Sequence, residues 1–170
     1  MAALLLDAAL RYADYGWPVF PCHSTRSGVC CCRKGAECRH AAKHPHTRHG
    51  LKDATIDLRQ IRKWWSKWPD ANVAVATGQD RDLVVFDVDQ VPGGHSSLES
   101  VLQRLGNLPD HPIARTGGGG NHRLFKHPGG RVASRQAVAD GIDVRADGGY
   151  IIAPPSRHVR GNPYELQIDP

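Results

Sequence analysis

The spacing of hydrophobic positions along the chain predicts three helices. Apolar side chains recur at intervals of three and four residues in three segments, each of which ends near a glycine or a proline. Gly16 follows the first segment, Thr55 or Asp57 can cap the second, and Pro69 lies just beyond its end. The predicted helices cover residues 2–15, 57–68 and 96–105.

Short apolar runs between turn-forming residues predict the strands. They lie at residues 17–22, 72–77, 83–89, 113–116, 122–126, 141–145, 150–153 and 163–168. Because only a Gln-Asp-Arg-Asp turn separates 72–77 from 83–89, we expect these two strands to pair as a hairpin. The whole pattern predicts an α+β fold around a largely antiparallel sheet. Residues 22–48 show no periodicity and are expected to form a loop.

Two carboxylates follow the apolar run at residues 83–86. Side chains alternate along a strand, so Asp87 and Asp89 should point to one face while Val88 points into the core. Neighbouring carboxylates repel each other unless a cation lies between them, and Mg²⁺ prefers oxygen ligands. The pair is therefore either a divalent-metal site or two solvated residues at the end of a strand.

Two further stretches carry candidate chemistry. Four consecutive glycines at 117–120 let the backbone approach a ligand closely, and His122 could donate to a phosphate oxygen or transfer a proton. Asp143 and Arg145 share one face of a later strand, where they could act as a third metal carboxylate and a phosphate-binding guanidinium. The alternatives are a simple hairpin loop and a surface ion pair of little energetic value.

The loop over residues 22–46 is rich in cysteine and histidine. It needs a source of order, and a structural Zn²⁺ with four ligands would supply it. Cys30, Cys32 and Cys38 are the preferred ligands, with His23 as the preferred fourth. The less favoured candidates for the fourth position are His44, Cys22 and Cys31. The alternative to a zinc site is a set of free, reduced thiols.

Length and charge exclude several classes of protein. The 170 residues are enough for one domain with a real core, and the net charge of +5 suits an anionic partner such as nucleic acid or a nucleotide. Residues 1–10 lack the basic start of a signal peptide, and no segment approaches the roughly 20 apolar residues of a membrane span. We therefore expect a cytoplasmic protein without a membrane partner, whose clustered cysteines bind metal rather than form disulfides.

Three motifs, in order, resemble those of the archaeo-eukaryotic primase superfamily. Asp87-Val88-Asp89 is similar to its first motif, Gly120-Asn121-His122 to its second and Ile142-Asp143 to its third. The surroundings resemble the bifunctional DNA primase/polymerase (Prim-Pol) branch over nearly the whole chain. The stretches that carry this likeness are Lys43-His44-Pro45, His49-Gly50, Ala54-Thr55-Ile56-Asp57, Trp64-Trp65, Gly148-Gly149-Tyr150 and Pro154-Pro155-Ser156. Cys31 departs from the branch pattern and has no assigned role.

The resemblance implies a fold and a set of residue roles. The Prim-Pol fold packs an RRM-like antiparallel catalytic sheet with a smaller N-terminal α/β part. We expect one catalytic domain over residues 1–170, with a zinc loop at about 22–46 and the sheet at about 72–168. Asp87, Asp89 and Asp143 would bind two catalytic Mg²⁺ or Mn²⁺ ions, and His122 would contact the triphosphate. The further implied substrate contacts are Lys43, Thr116, Gly120, Asn121 and Arg145.

The resemblance also implies template-directed nucleotidyl transfer, as DNA primase or DNA polymerase, in a plasmid, phage or mobile-element replication protein. Its partners would be a DNA template and primer with (d)NTPs. Relatives usually continue into a helical primase segment and a helicase, so a chain ending at Pro170 should extend primers better than it initiates them. Two alternatives use the same residues: a zinc-stabilised nucleic-acid-binding module without catalysis, and a two-metal nuclease. Three carboxylates would serve a pure phosphate binder poorly, which favours the enzyme.

Overall fold

The structure is a computed structural model that describes residues 2–90 and 94–167. Its helices are α1 (Ala2–Asp14), α2 (Leu58–Lys67) and α3 (Gly94–Leu105). Asp57 caps α2, because its carboxylate accepts a hydrogen bond of 2.9 Å from the Arg59 N–H. The three predicted helices are therefore confirmed to within two residues at each end. None of the helices in these two ranges is both long and apolar enough to cross a membrane.

The strands form three sheets in the described part of the chain. They are β1 (Val19–Cys22), β2 (Thr25–Arg26), β3 (Val29–Cys30), β4 (Asn72–Ala76), β5 (Val84–Val88), β6 (Ile113–Arg115), β7 (Asn121–Phe125), β8 (Arg135–Ala139), β9 (Ile142–Arg145), β10 (Tyr150–Ile152) and β11 (Glu165–Gln167). The strand orders are β1-β4-β10, β11-β6-β7-β5-β9-β8 and β2-β3. Every pairing between these strands is antiparallel, which confirms the predicted α+β class.

The predicted hairpin between residues 72–77 and 83–89 is wrong. β4 lies at the centre of the three-stranded sheet, whereas β5 belongs to the six-stranded sheet, and Gly78 and Leu83 form only an isolated bridge between them. All five residues of β4 are buried, so this strand needs a partner on each edge, and β1 and β10 supply them. Gly78 has a φ of +124°, and a Cβ there would contact Asp147, so the chain can cross between the sheets only with glycine at this position.

Two regions contain structure that the hydrophobic pattern did not predict. The segment predicted as a loop includes the β2–β3 hairpin, whose strands have only two residues each and cannot show an alternation. The edge strand β8 is almost entirely exposed, so its sequence lacks the apolar positions that mark a strand. Both regions adjoin the candidate site, as described below.

A single hydrophobic cluster joins α1 and α2 to both larger sheets. Leu5 of α1 and Ile61 of α2 pack with Val75 of β4 and with Val85 of β5. On the opposite face of the six-stranded sheet, Val88 packs with residues of α3 and β9. β5 is therefore covered on both faces, which makes it a rigid support for the carboxylates near its end.

Candidate active site

Three residues from separate motifs lie side by side across the six-stranded sheet. Asp87 of β5 pairs directly with His122 of β7 on one edge and with Asp143 of β9 on the other. Directly opposed residues of antiparallel strands point to the same face, so the three side chains form one row. His122 Nε2 lies 3.4 Å from Asp87 Oδ1. Residues that are up to 56 positions apart in sequence thus become neighbours.

The alternation along β5 sets the orientation of this row. Val85 is fully buried on the face that carries Asp87, and Val88 is 2% exposed on the opposite face. The inner face therefore changes from apolar to acidic within two residues, and Asp89 follows directly after the strand. Val88 lies in a core cluster, as predicted, and the shared face of Asp87 and Asp89 stays a prediction.

Arg145 supplies positive charge beside the row. Its Nη2 atom lies 2.6 Å from Asp143 Oδ2 and 3.5 Å from Asp87 Oδ2. The other oxygen of Asp143 accepts a hydrogen bond of 2.8 Å from the Ala137 N–H. Ala137 has a φ of +50° and lies at the irregularity in β8, which turns this N–H toward the carboxylate. Both oxygens of Asp143 are thus occupied by partners within the chain.

The two carboxylates of β5 differ in their electrostatic surroundings. Burial would raise the pKa of Asp87, but the hydrogen bond from His122 and the charges of Arg145 and Lys43 outweigh it, so the pKa is lowered. For Asp89, burial and repulsion from Asp87 and Asp143 raise the pKa despite the nearby Lys43 and Arg145. The remaining repulsion at Asp89 is the condition that a bound divalent cation would relieve.

A cavity of about 420 Å³ opens beside the row and is lined by Asp87 and His122, but not by Asp143. Its walls come from the two larger sheets and from the cysteine–histidine loop, which contributes Lys43 and His44. The Tyr150 hydroxyl donates to the Lys43 carbonyl over 3.0 Å and so attaches the loop to β10. The Tyr164 ring lies 5.9 Å from the His122 ring and covers it. Cavities of this size are typical of small-ligand sites.

Four groups of the loop converge as a candidate zinc site. The sulfur atoms of Cys30, Cys32 and Cys38 and a ring nitrogen of His44 all lie within 4.8 Å of one another. His44, and not the preferred His23, therefore occupies the fourth position. The reason is local pairing: the His23 N–H donates to the His44 carbonyl over 2.8 Å, and the His44 Nε2 atom lies 3.4 Å from Cys30 Sγ. The cluster could bind zinc, and His44 joins it to the cavity.

Hydrogen bonds shift the pKa of the Cys32 thiol downward. Burial tends to raise its pKa, but hydrogen bonds from the backbone N–H groups of Lys34 and Gly35 and from the thiols of Cys30 and Cys38 outweigh that effect, and the pKa is lowered. Thiolates are the form that binds zinc. The backbone of the turn after Cys32 therefore prepares one ligand of the group.

His23 lies in a second group, with Cys31 and His46. Burial, with a smaller contribution from His44, lowers the pKa of His23 to about 4. Burial, together with its histidine neighbours and Lys67, also lowers the pKa of His46 to about 4. Both rings are therefore neutral at neutral pH and each keeps a nitrogen lone pair.

A protein-family comparison identifies the family of the chain. The family model described as bifunctional DNA primase/polymerase, N-terminal (Prim-Pol) matches residues 9–170. The chain belongs to the Prim-Pol family. At the level of this family its activity is nucleotidyl transfer of the primase/polymerase type, with DNA and nucleotides as substrates. No curated protein matches the chain.

The glycine turn of this Prim-Pol chain has a visible packing role. A Cβ at Gly120 would collide with the Val88 carbonyl oxygen, so glycine lets β7 start close against β5. The Thr116 hydroxyl accepts a hydrogen bond of 3.0 Å from the Gly120 N–H and closes the turn. Asn121 precedes His122 in β7, so its side chain lies on the face opposite to Asp87. The contacts of Thr116, Gly120 and Asn121 therefore explain the turn, and their predicted role in substrate binding stays a prediction.

The three acids of the Prim-Pol chain do not meet in one compact group of ligand atoms. In the described parts of the chain, the cysteine–histidine groups are the only two with all ligand atoms within 4.8 Å. Since Arg145 occupies one oxygen of Asp143, a cation shared with Asp87 would have to displace that guanidinium.

Sequence reasoning also missed residues that shape the site. Tyr164 and Tyr150 line the cavity, and Asn72 anchors the loop by donating to the Ala42 carbonyl over 2.9 Å. A buried asparagine at the start of an otherwise apolar strand was the available signal for the last of these, because such a side chain needs partners.

Proposed function

We propose that this Prim-Pol chain catalyses template-directed nucleotidyl transfer with Asp87, Asp89 and Asp143 as ligands of divalent cations. The observation that carries the proposal is the register of the sheet, which pairs Asp87 with both His122 and Asp143. A one-residue slip of β7 or β9 would turn His122 or Asp143 to the opposite face of the sheet. Asp87 and His122 of this row also line the cavity.

The donor set suits Mg²⁺ or Mn²⁺. Both prefer oxygen ligands, and the acids are held by a strand that is packed on both faces. Repulsion among the acids raises the pKa of Asp89 further than its burial alone, and Arg145 already lies where positive charge is favoured. When bound, two such cations supply Lewis acidity toward the attacking 3′-hydroxyl and neutralise charge on the leaving pyrophosphate.

The remaining side chains would bind and orient the substrate. His122 holds Asp87 and lies at the base of the cavity, where it can contact the incoming triphosphate. Once released from Asp143, the Arg145 guanidinium can bind phosphate oxygens through two N–H groups. Lys43 adds a point charge from the loop side.

A Zn²⁺ held by Cys30, Cys32, Cys38 and His44 would order the loop that carries Lys43. His44 is next to Lys43 in sequence and lines the same cavity, so a metal ion that holds His44 would also hold the backbone of Lys43 beside the cavity. The proposal has two further parts, which rest on the resemblance alone. The chain would belong to a plasmid, phage or mobile-element replication protein, and it would cooperate with a helical primase segment or a helicase.

Primer extension tests the proposal directly. The chain is incubated with a labelled primer–template duplex, dNTPs and Mg²⁺ or Mn²⁺, beside Asp87→Asn, Asp143→Asn and the matched control Asp80→Asn, whose side chain is 88% exposed. We expect extension by the wild type and the control, and a loss of roughly 100-fold or more in the two site variants.

The same assay separates the alternative functions. Shortening of the labelled strand would indicate a nuclease, and retention of DNA without any turnover would indicate a binding module. If both folded site variants extend the primer as well as the wild type does, the assigned roles are contradicted.

A further inference from the structure

Cys31 is the exposed one of the two cysteines that the candidate zinc site does not use, and it lies between two imidazoles. Its sulfur is 3.1 Å from His23 Nδ1 and 3.9 Å from His46 Nε2. The three ligand atoms all lie within 4.8 Å of one another, and none of them belongs to the group of Cys30, Cys32, Cys38 and His44.

The backbone holds these three residues independently of their side chains. The His46 N–H donates to the Pro21 carbonyl over 2.9 Å, which continues β1 as a short antiparallel ribbon that also includes His23. The Cys31 N–H donates to the Ser24 carbonyl over 3.0 Å at the base of the β2–β3 hairpin. The group is therefore fixed by hydrogen-bonded backbone on both sides and not by flexible side chains meeting at the surface.

Neighbouring side chains contact two of the three candidate ligands. The His46 ring stacks on the Trp68 ring, with 4.7 Å between centroids and 16° between planes. The Ser24 hydroxyl lies 3.8 Å from Cys31 Sγ as a donor. Such outer contacts fix ring orientation and stabilise a thiolate in metal sites.

We propose that His23, Cys31 and His46 form a second metal site, which takes Zn²⁺ or a chemically similar cation such as Co²⁺ and leaves one coordination position to solvent. One sulfur and two imidazole nitrogens are a zinc donor set, and three protein ligands are one fewer than a closed structural site uses. Because Cys31 is exposed, water or an external ligand can reach the fourth position. The adjacent residues Cys30 and Cys31 then serve different ions, which gives Cys31 a role.

Metal content at fixed free Zn²⁺ tests this proposal without any use of catalysis. The full chain is brought to equilibrium by dialysis against a zinc buffer, and bound zinc is measured by elemental analysis together with circular dichroism. We expect two ions per wild-type chain, one in Cys31→Ser and one in His46→Ala. His49→Ala is the matched control, because His49 is an exposed histidine of the same region that belongs to neither group, and it should keep two.

Co²⁺ gives a second readout at the site itself. A paramagnetic ion bound to His46 should quench the emission of the stacked Trp68, and Trp68→Phe or Cys31→Ser should remove most of that quenching. The proposal is overturned if the wild type binds one Zn²⁺ at saturation, or if folded Cys31→Ser still binds two. Since Cys31 is exposed, this variant is expected to fold and to give an answer in either case.

Discussion

Arg145 donates to Asp143 over 2.6 Å and also lies within 3.5 Å of Asp87. The guanidinium thus occupies the position in which positive charge between the two acids is most favourable. In the proposed enzyme it must compete with the catalytic cations for the same carboxylates, so the metal-free state of the site is an ion-paired state.

Arg145→Met should therefore change how the chain responds to metal. Without a divalent ion, we expect a lower thermal midpoint, because two neighbouring carboxylates lose their shared counter-charge. Added Mn²⁺ should then raise the midpoint more than in the wild type, because no guanidinium has to be displaced. Thermal unfolding with and without Mn²⁺ measures both effects. Arg62→Met on the exposed face of α2 is the control, and equal Mn²⁺ responses in all three proteins would contradict the competition.

His122 should act through the nitrogen that faces Asp87. Its Nε2 atom lies 3.4 Å from the carboxylate, whereas its Nδ1 atom is buried without a hydrogen-bond partner among the residues that the structure describes. The amide nitrogen of glutamine can occupy the place of Nε2, and that of asparagine only the place of Nδ1. We expect His122→Gln to retain more primer extension than His122→Asn, with roughly tenfold between them. Equal loss in both variants, at equal thermal stability, would show that the contact with Asp87 is not what matters.

The parts of this molecule that sequence reasoning predicted well are those decided by neighbours along the chain. The cap of α2, which local spacing narrowed to Thr55 or Asp57, and the burial of Val88 follow from such neighbours. The partner of β4 does not, because a strand buried on both faces can pair with any other strand, and distant β10 pairs with it in preference to adjacent β5.

The candidate zinc site shows the same limit. Three sulfur ligands could be chosen from spacing, but the choice of His44 over His23 depends on the antiparallel pairing of residues 21–23 with 44–46. The loop also packs against the residue that follows α2, because His46 stacks on Trp68. Tertiary packing of this kind has no periodic signal in the sequence.

Loss of one zinc ligand should weaken nucleotide binding as well as stability. Cys38 belongs to the first cysteine–histidine group but does not line the cavity, so Cys38→Ser should act only by loosening the loop that carries Lys43. We expect less bound zinc, a lower thermal midpoint and a KM for dNTP that rises several-fold. Cys31→Ser, in the same loop, leaves the first group intact and should change the KM little. An unchanged KM in zinc-depleted Cys38→Ser would separate the loop from substrate binding.

Asn72 should be among the most sensitive structural positions. Its side chain is buried, donates to the carbonyls of Ala42 and Arg157 over 2.9 and 2.8 Å, and accepts from the Arg157 N–H over 3.0 Å. Asn72→Ala leaves these backbone groups unpaired and should lower the free energy of unfolding by about 1–3 kcal/mol. Denaturant unfolding measures the change. Asn107→Ala at an exposed position should stay within about 0.5 kcal/mol, and an equally small effect at Asn72 would contradict the anchoring role.

Asp147 should contribute to stability in a manner that depends on pH. Its carboxylate accepts hydrogen bonds from the N–H groups of Gln79 and Val132, over 2.8 and 3.0 Å, and so joins the crossing between the sheets to the segment before β8. The Gln79 and Val132 N–H groups, with smaller contributions from His127 and Arg131, hold the pKa of Asp147 below its ordinary value of 3.8, although burial opposes them.

Because the pKa is lower in the folded chain, the contribution of Asp147 is complete above the ordinary pKa and is lost as the pH falls through the folded value. In Asp147→Asn, an amide must present its NH₂ group to one of the two backbone donors, so this variant should be less stable at pH 7. The difference in thermal midpoint between the wild type and Asp147→Asn should then shrink steadily below about pH 4. Comparing the two proteins cancels acid effects that they share, and Asp110→Asn controls for loss of an exposed charge. A difference that is the same at pH 7 and pH 3 would mean that shape, and not ionisation, accounts for the role of Asp147.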